Sequence, residues 1–367
     1  QDEIAKAIVG ALRGALKVSG NDVPAVEVKA DTDNLPAYET YLKARELFIA
    51  RRDLKEGVRL FERVVELDPK FARGWEGLAG IYSVAESWGI RDRDYTELAR
   101  TAARRALELD AKLSMPWAAL GMAEMNNPPI DWEKGLENLN RAIAADPNNA
   151  TAWLFRSIAW LNLGFFERAH ADQDRCLAID PAYRNCMRWK AVTHLHAGQI
   201  EKALALYERG VAEGFVRNRA ADFVPFLHAR GDRIGARLLL QEMGADTATQ
   251  TVIMARLDDP QAPIADVDDL VRRFFMEGDS QWVASVDDAT GYLYFGAFDR
   301  VADAKRLAFD TGVTWNALPS GWRNSPGFKK LVTRLGLVDY WRKHGYPPQC
   351  RPVGKNDFEC DPVPADR

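Results

Sequence analysis

Long apolar runs are missing from this sequence. No stretch approaches the roughly 18 uninterrupted apolar residues of a membrane-spanning helix, so these residues are expected to carry no membrane span. A dominant charge is absent too: 49 Lys and Arg stand against 53 Asp and Glu, a net charge of -4, which is no electrostatic footprint for nucleic acid. Cysteine and histidine are scarce, four and five residues, and no Cys-x-x-Cys or Cys/His cluster suggests zinc. His194 and His196 are two positions apart and face different sides of a helix, so they do not chelate one metal. A nucleophile elbow, a phosphate-binding loop, a dinucleotide-binding glycine pattern and a His-Glu-x-x-His helix are all lacking. The acidic group Asp258, Asp259, Asp266, Asp268 and Asp269 lacks the ordered ligand loop and glycine of a calcium site and reads as solvated carboxylates. The expectation is a non-enzyme with no cofactor and no metal. The chain opens on Gln1 without a Met or a signal-type apolar segment, which reads as a processed chain or an excised fragment.

What is present is a period. At 367 residues with 47% apolar and 28% charged residues, the chain is long enough for two domains or one elongated repeat array. The tripeptides Leu67-Asp68-Pro69, Ala145-Asp146-Pro147 and Ile179-Asp180-Pro181 recur, with Leu109-Asp110-Ala111 as a degenerate copy. Each follows a helix-periodic segment and precedes a large side chain: Trp75, Trp117, Trp153, then Met187 with Trp189. Pro147 to Pro181 is 34 positions, and Trp153 to Met187 is 34 again. The interval from Trp75 to Trp117 is 42 because of the polar insertion at 86–94, and that from Trp117 to Trp153 is 36 because of extra residues at 126–129.

This pattern resembles the tetratricopeptide repeat (TPR). Trp75, Leu78, Ala79 and Tyr82 match its first helix, as do Trp117, Leu120 and Gly121; Ala169 and Cys176 match its second, with Gly164 at the turn between them. Leu195, Gly198, Ala203 and Tyr207 continue the pattern, and Gly231, Ala236 and Leu240 carry a weaker sixth copy. The small residues let helices approach closely, aromatics fill the space between pairs, and Pro after Asp breaks each second helix. The resemblance implies an all-α superhelix of about six units over 36–249.

The ends differ. Residues 1–17 read as an amphipathic helix through Ile4, Ile8, Leu12 and Leu16, and Val26 with Val28 alternate like a short strand. The segment 1–35 is therefore expected to dock on the first repeat or to be the end of an upstream domain. Residues 1–12 resemble the closing helix of the TolB-like domain that precedes such repeats in certain bacterial signalling proteins, which begin with a winged-helix or nucleotide cyclase domain and a membrane anchor. The end of the chain resembles the tail of the same proteins, through Trp322-Arg-Asn-Ser-Pro, the Tyr340-Trp341 pair and the loop between Cys350 and Cys360. Residues 250–367 are read as diverged helical repeats or a cap, with helical stripes at Val267, Leu270, Phe274 and at Val301, Ala304, Leu307, followed by the tail.

The cysteines fall into two pairs ten positions apart, Cys176 with Cys186 and Cys350 with Cys360. Local pairs suit structural disulfides in an oxidising compartment, each loop closure contributing about 3 kcal/mol. The second pair flanks a polar segment that packing alone holds poorly, and a disulfide is favoured there; for the first pair, buried free thiols are the alternative. The compartment expected is periplasmic or extracytoplasmic, with membrane tethering through a missing N-terminal region, and cytoplasmic as the alternative.

A repeat array of this kind binds other chains on the surface lined by its first helices. Repeat register places Met115, Met122, Met125 and Asn126, then Phe155, Ile158, Leu161 and Asn162, then Arg188, Trp189, Val192 and His196 on that surface, an apolar trough suited to a peptide or a partner protein. A clamp for a terminal carboxylate is not expected, because the corresponding first-unit positions hold Leu42 and Glu46. Three other readings stay open: the trough residues are core, the tail 347–367 folds back into the trough, or the chain self-associates through 1–29. As part of a longer protein it would be a regulatory fragment of a nucleotide cyclase or a transcriptional regulator.

Overall fold

In the computed structural model the described residues are 32–126, 129–213, 221–260, 262–277, 283, 286, 288–304, 311–316 and 321–361. The expected helix at 1–17 and strand at Val26 and Val28 lie outside them.

Helices come in consecutive antiparallel pairs: α1 (Leu35–Ala50) with α2 (Leu54–Leu67), α3 (Ala72–Ala85) with α4 (Tyr95–Leu109), α5 (Met115–Met125) with α6 (Trp132–Ala145), α7 (Ala150–Asn162) with α8 (Phe166–Ile179), and α9 (Arg184–His196) with α10 (Ile200–Ala212). A shorter pair follows, α11 (Val224–Ala229) with α12 (Arg233–Glu242), then α13 (Thr247–Asp258). The fold is an all-α superhelix of the TPR type.

The recurring residues have local jobs. The Asp after each second helix accepts the amide two residues on, Asp68 from Lys70, Asp110 from Lys112, Asp146 from Asn148 and Asp180 from Ala182. This Asx turn does not need the proline, which is why the copy ending in Ala111 keeps the geometry. Trp75 and Trp153 donate their indole N–H to the carbonyls of Pro69 and Pro147, at 3.0 and 2.9 Å. In these two units the aromatic therefore ties the first helix to the turn before it. Asn34, Asp53, Asp94, Asp131 and Asn149 cap five of these helices by accepting amides in the first turn. Helices α5 and α6 cross at paired glycines: a Cβ on Gly121 would lie 2.9 Å from the Gly135 carbonyl oxygen.

Glu76 on α3 accepts the Met115 amide at the start of α5 (3.2 Å), and burial pushes its carboxyl up to about 7. A carboxyl raised in this way keeps its proton in the folded protein after the unfolded chain has lost it, so stability falls as pH rises through 7. Relative to Glu76→Gln, the wild type is expected to lose about 1 kcal/mol between pH 6 and pH 8, measured as urea midpoints; parallel pH curves would contradict a neutral Glu76.

The C-terminal third folds back onto the solenoid instead of extending it. It comprises α14 (Val267–Val271) running into a π-helical turn at Arg272–Met276, then α15 (Asp288–Tyr294), α16 (Phe298–Val301), α17 (Thr311–Thr314), α18 (Pro326–Arg334), α19 (Leu337–His344) and a hairpin of β1 (Cys350–Val353) with β2 (Asp357–Cys360). Val267, Leu270 and Phe274 follow the expected helical stripe; Leu307 of the second stripe is outside the described residues. The hairpin replaces the irregular loop expected from the sequence. Cys350 pairs with Cys360 across it and the two are disulfide-bonded, while Phe358, two positions from Cys360 and on the same face, turns inward against Trp341 and Phe328.

This cap docks by completing a helix end. The last carbonyls of an α-helix have no partner within the helix, and at the end of α7 three successive ones are taken by the cap. Trp315 donates to Asn162 (2.8 Å), Trp341 to Leu163 (2.9 Å) and Gln349 to Gly164 (2.9 Å). Arg323 does the same for His196 at the end of α9 (2.7 Å), and in return Trp132 of α6 donates to Leu335 (2.7 Å).

Candidate functional site

The trough read from the repeat register is not open. Met115, Met122, Met125, Phe155, Ile158, Leu161, Asn162, Arg188, Val192 and His196 are all buried, and Asn126 and Trp189 are half-buried. Two physical causes correct the expectation. First helices pack directly on one another, so Met115 lies against Gly80, which also meets the Phe48 ring, and within its own pair Met125 lies against Gly135 of α6. Beyond that, the cap covers the ends of α7 and α9. His196 shows the consequence: burial first, and the neighbouring Arg323 second, push its imidazole down to about 3, leaving it neutral inside the junction. The chain therefore covers the ends of these helices itself, chiefly with Trp315, Arg323 and Trp341 of the cap, and the segment 347–367, which one sequence reading folded back here, joins in through Gln349.

Cys176 and Cys186 are a second correction. Both are buried free thiols, Cys186 donating to the Gln173 carbonyl at 3.5 Å, and burial pushes its thiol up. The acidic cluster is internally engaged: Asp266 caps the Asp269 amide, Asp268 pairs with Arg300, and Asp269 pairs with Arg272 and Arg273. No group of His, Cys, Asp or Glu positioned to hold a metal is found among the described residues.

What stays open is a groove of whose lining the trough reading had named only Arg188. The superhelix curls until the end of α1 meets the start of α9, and between them lies a cavity of about 490 Å³, within the ordinary range for ligand pockets. One wall is Leu42, Arg45, Glu46 and Ile49 of α1; the other is Arg184, Asn185 and Arg188 of α9, with Trp88 beside them. Leu42 is 47% exposed and Ile49 43% exposed, large apolar side chains left facing solvent in a concave setting.

Arg51 closes the groove. It sits just past α1 in a left-handed conformation (φ 50°), only 5% exposed, stacked over the Phe48 ring. Nη1 donates to the Phe48 carbonyl, Nη2 donates to the Tyr183 hydroxyl at 3.4 Å, and Nε has no partner among the described residues. Every acceptor it has is neutral, and burial lowers its pKa. Leu42 and Glu46 had signalled only that a carboxylate clamp of the usual kind is missing. The seven-residue spacing of Leu42 and Ile49 was the available clue to the groove.

No protein-family model and no curated protein matches the sequence. Among solved structures the chain is similar to a thermophilic TPR protein of Thermus thermophilus, at 18% identity over 48% of this chain and 91% of that one, with a TM-score of 0.40. It is also similar to PilW, described as a widely conserved type IV pilus biogenesis factor (18% identity, 62% and 96% covered, TM-score 0.37). A third is YrrB, described as a TPR protein with an unusual peptide-binding site (19% identity, 50% and 93% covered, TM-score 0.29). These likenesses concern the helical repeats and carry nothing about partners. No helix among the described residues is long and apolar enough to cross a membrane.

Proposed function

We propose that this protein is a non-enzymatic interaction module that takes a peptide segment of a partner protein into the groove between α1 and α9. The observation that carries this reading is the exposure of Leu42 and Ile49 inside a concave opening of about 490 Å³, while the neighbouring concave positions are packed shut. Covering a large aliphatic side chain contributes about 1.5–3 kcal/mol when burial is complete, so two half-covered ones leave room for useful affinity. The wider setting belongs to the same proposal: a regulatory part of a bacterial signalling protein, in an oxidising extracytoplasmic compartment, for which the Cys350–Cys360 disulfide is the support.

The test is selection from a random dodecapeptide phage library on the whole chain, followed by binding to the Leu42→Glu, Ile49→Glu double variant. Selected peptides are expected to bind the wild type and to lose at least about tenfold in affinity, near 1.4 kcal/mol, on the variant, whose helical circular dichroism and unfolding midpoint stay unchanged. Peptides that bind both proteins equally would remove the groove from consideration.

A further inference from the structure

The exposed face of α1 specifies the shape of its partner, an inference that rests on the groove reading above. Leu35, Leu42 and Ile49 are 50%, 47% and 43% exposed and stand seven residues apart. Seven residues are two helical turns, so these side chains form a seam nearly parallel to the axis of α1, with steps of about 10.5 Å. An extended peptide rises about 3.3 Å per residue and alternates its faces, so about 10.5 Å along it is three residues and presents the opposite face. A second helix returns the same face at that spacing, and a repeat of seven is the seam that two helices share.

Charge narrows the partner further. The carboxylates at the groove are already engaged: Glu46 pairs with Arg52 (3.0 Å), Glu213 pairs with Arg209 (2.9 Å), and Asp180 accepts the Ala182 amide. Arg45 and Arg184 are exposed on opposite walls with no carboxylate within ion-pair distance among the described residues, and Arg51 has only neutral acceptors. Asp180 keeps its charge, since an amide does not neutralise it, but Arg45, Arg51 and Arg184 outnumber it, so the uncompensated charge of the groove is positive. Elsewhere on a first helix an arginine is fully answered, Arg156 of α7 holding Asp172 through two bonds of 2.8 and 2.7 Å.

We propose that the groove receives an amphipathic α-helix of a partner protein, its apolar seam laid along Leu35, Leu42 and Ile49 and its flanking carboxylates set against Arg45 and Arg184. Such a helix gains burial from the seam and charge-assisted bonds from both walls of the groove.

Three fluorescein-labelled peptides of about 21 residues, three heptads long, test this by anisotropy on the full chain. The first has leucine at the seam positions and glutamate beside them, the second replaces each glutamate by lysine, and the third replaces two central residues of the first by proline. The acidic helix is expected to bind at least tenfold more tightly than either control. Leu42→Glu with Ile49→Glu lowers its affinity tenfold or more, and Arg184→Glu lowers it severalfold with a weaker dependence on salt. Failure of the acidic helix to bind, equal binding of the proline or lysine peptide, or binding unchanged in the double variant overturns the proposal. Should library selection yield groove-dependent peptides without a seven-residue apolar repeat, the groove reading stands and the helical partner falls.

Discussion

Replacing Trp341 by alanine is expected to destabilise the protein by about 3–5 kcal/mol, the cost of emptying a large aromatic site in a packed interior. Trp341 is fully buried on α19, and its ring meets Trp315, Tyr346 and Phe358, which come from three other parts of the cap. Its indole N–H also holds the Leu163 carbonyl, and removing that donor leaves a buried acceptor unpaired at a cost of about 1–3 kcal/mol. Trp341→Phe separates the two contributions, because it keeps most of the packing and deletes only the donor. Urea unfolding followed by circular dichroism is the measurement, with tryptophan fluorescence reporting the cap. The cap is expected to come away from the end of α7 before the repeats unfold. A loss below about 1 kcal/mol for Trp341→Ala, in the range of surface substitutions, would mean that the cap does not depend on this junction.

The same junction explains what could be read from the sequence and what could not. The repeat was legible because its chemistry is local: an Asx turn spans two residues, and the bonds from Trp75 to Pro69 and Trp153 to Pro147 span six. Such contacts leave similar residues at the same local spacing from copy to copy, even where an insertion intervenes. The cap bonds join residues 127 to 203 positions apart, and nothing in a local pattern announces them. Met122 or Ile158 at an inward repeat position looks the same in sequence whether it lines an empty trough or a filled one. The cysteines divided for a related reason. Cys350 and Cys360 face each other across two paired strands, whereas Cys176 lies on α8 and Cys186 on α9, where equal spacing brings no obligation to bond. The groove was obscured by the curl of the superhelix, which brings Arg51 to Tyr183 over a separation of 132 residues.

Gly164→Ala is the second substitution expected to have a large effect, and its companion Gly231→Ala makes the reason visible. Both glycines end a first helix in the left-handed region, with φ of +85° and +84°, where a side chain costs about 1–2 kcal/mol. They differ in what surrounds them. A Cβ on Gly231 meets nothing within 4 Å, while one on Gly164 would lie 2.4 Å from the Trp315 ring and 2.8 Å from the Gln349 amide nitrogen. Gly231→Ala should therefore carry the backbone cost alone. Gly164→Ala adds the displacement of two cap residues that hold the Asn162 and Gly164 carbonyls, a further cost of about 1–3 kcal/mol by analogy with overpacking. The excess of the first variant over the second, taken from urea unfolding of both, measures cap docking with the turn geometry held constant. Equal losses would show that the cap yields without resistance. An excess of about 2 kcal/mol would show that one glycine serves two ends, letting the chain turn between α7 and α8 while leaving the gap into which Trp315 fits.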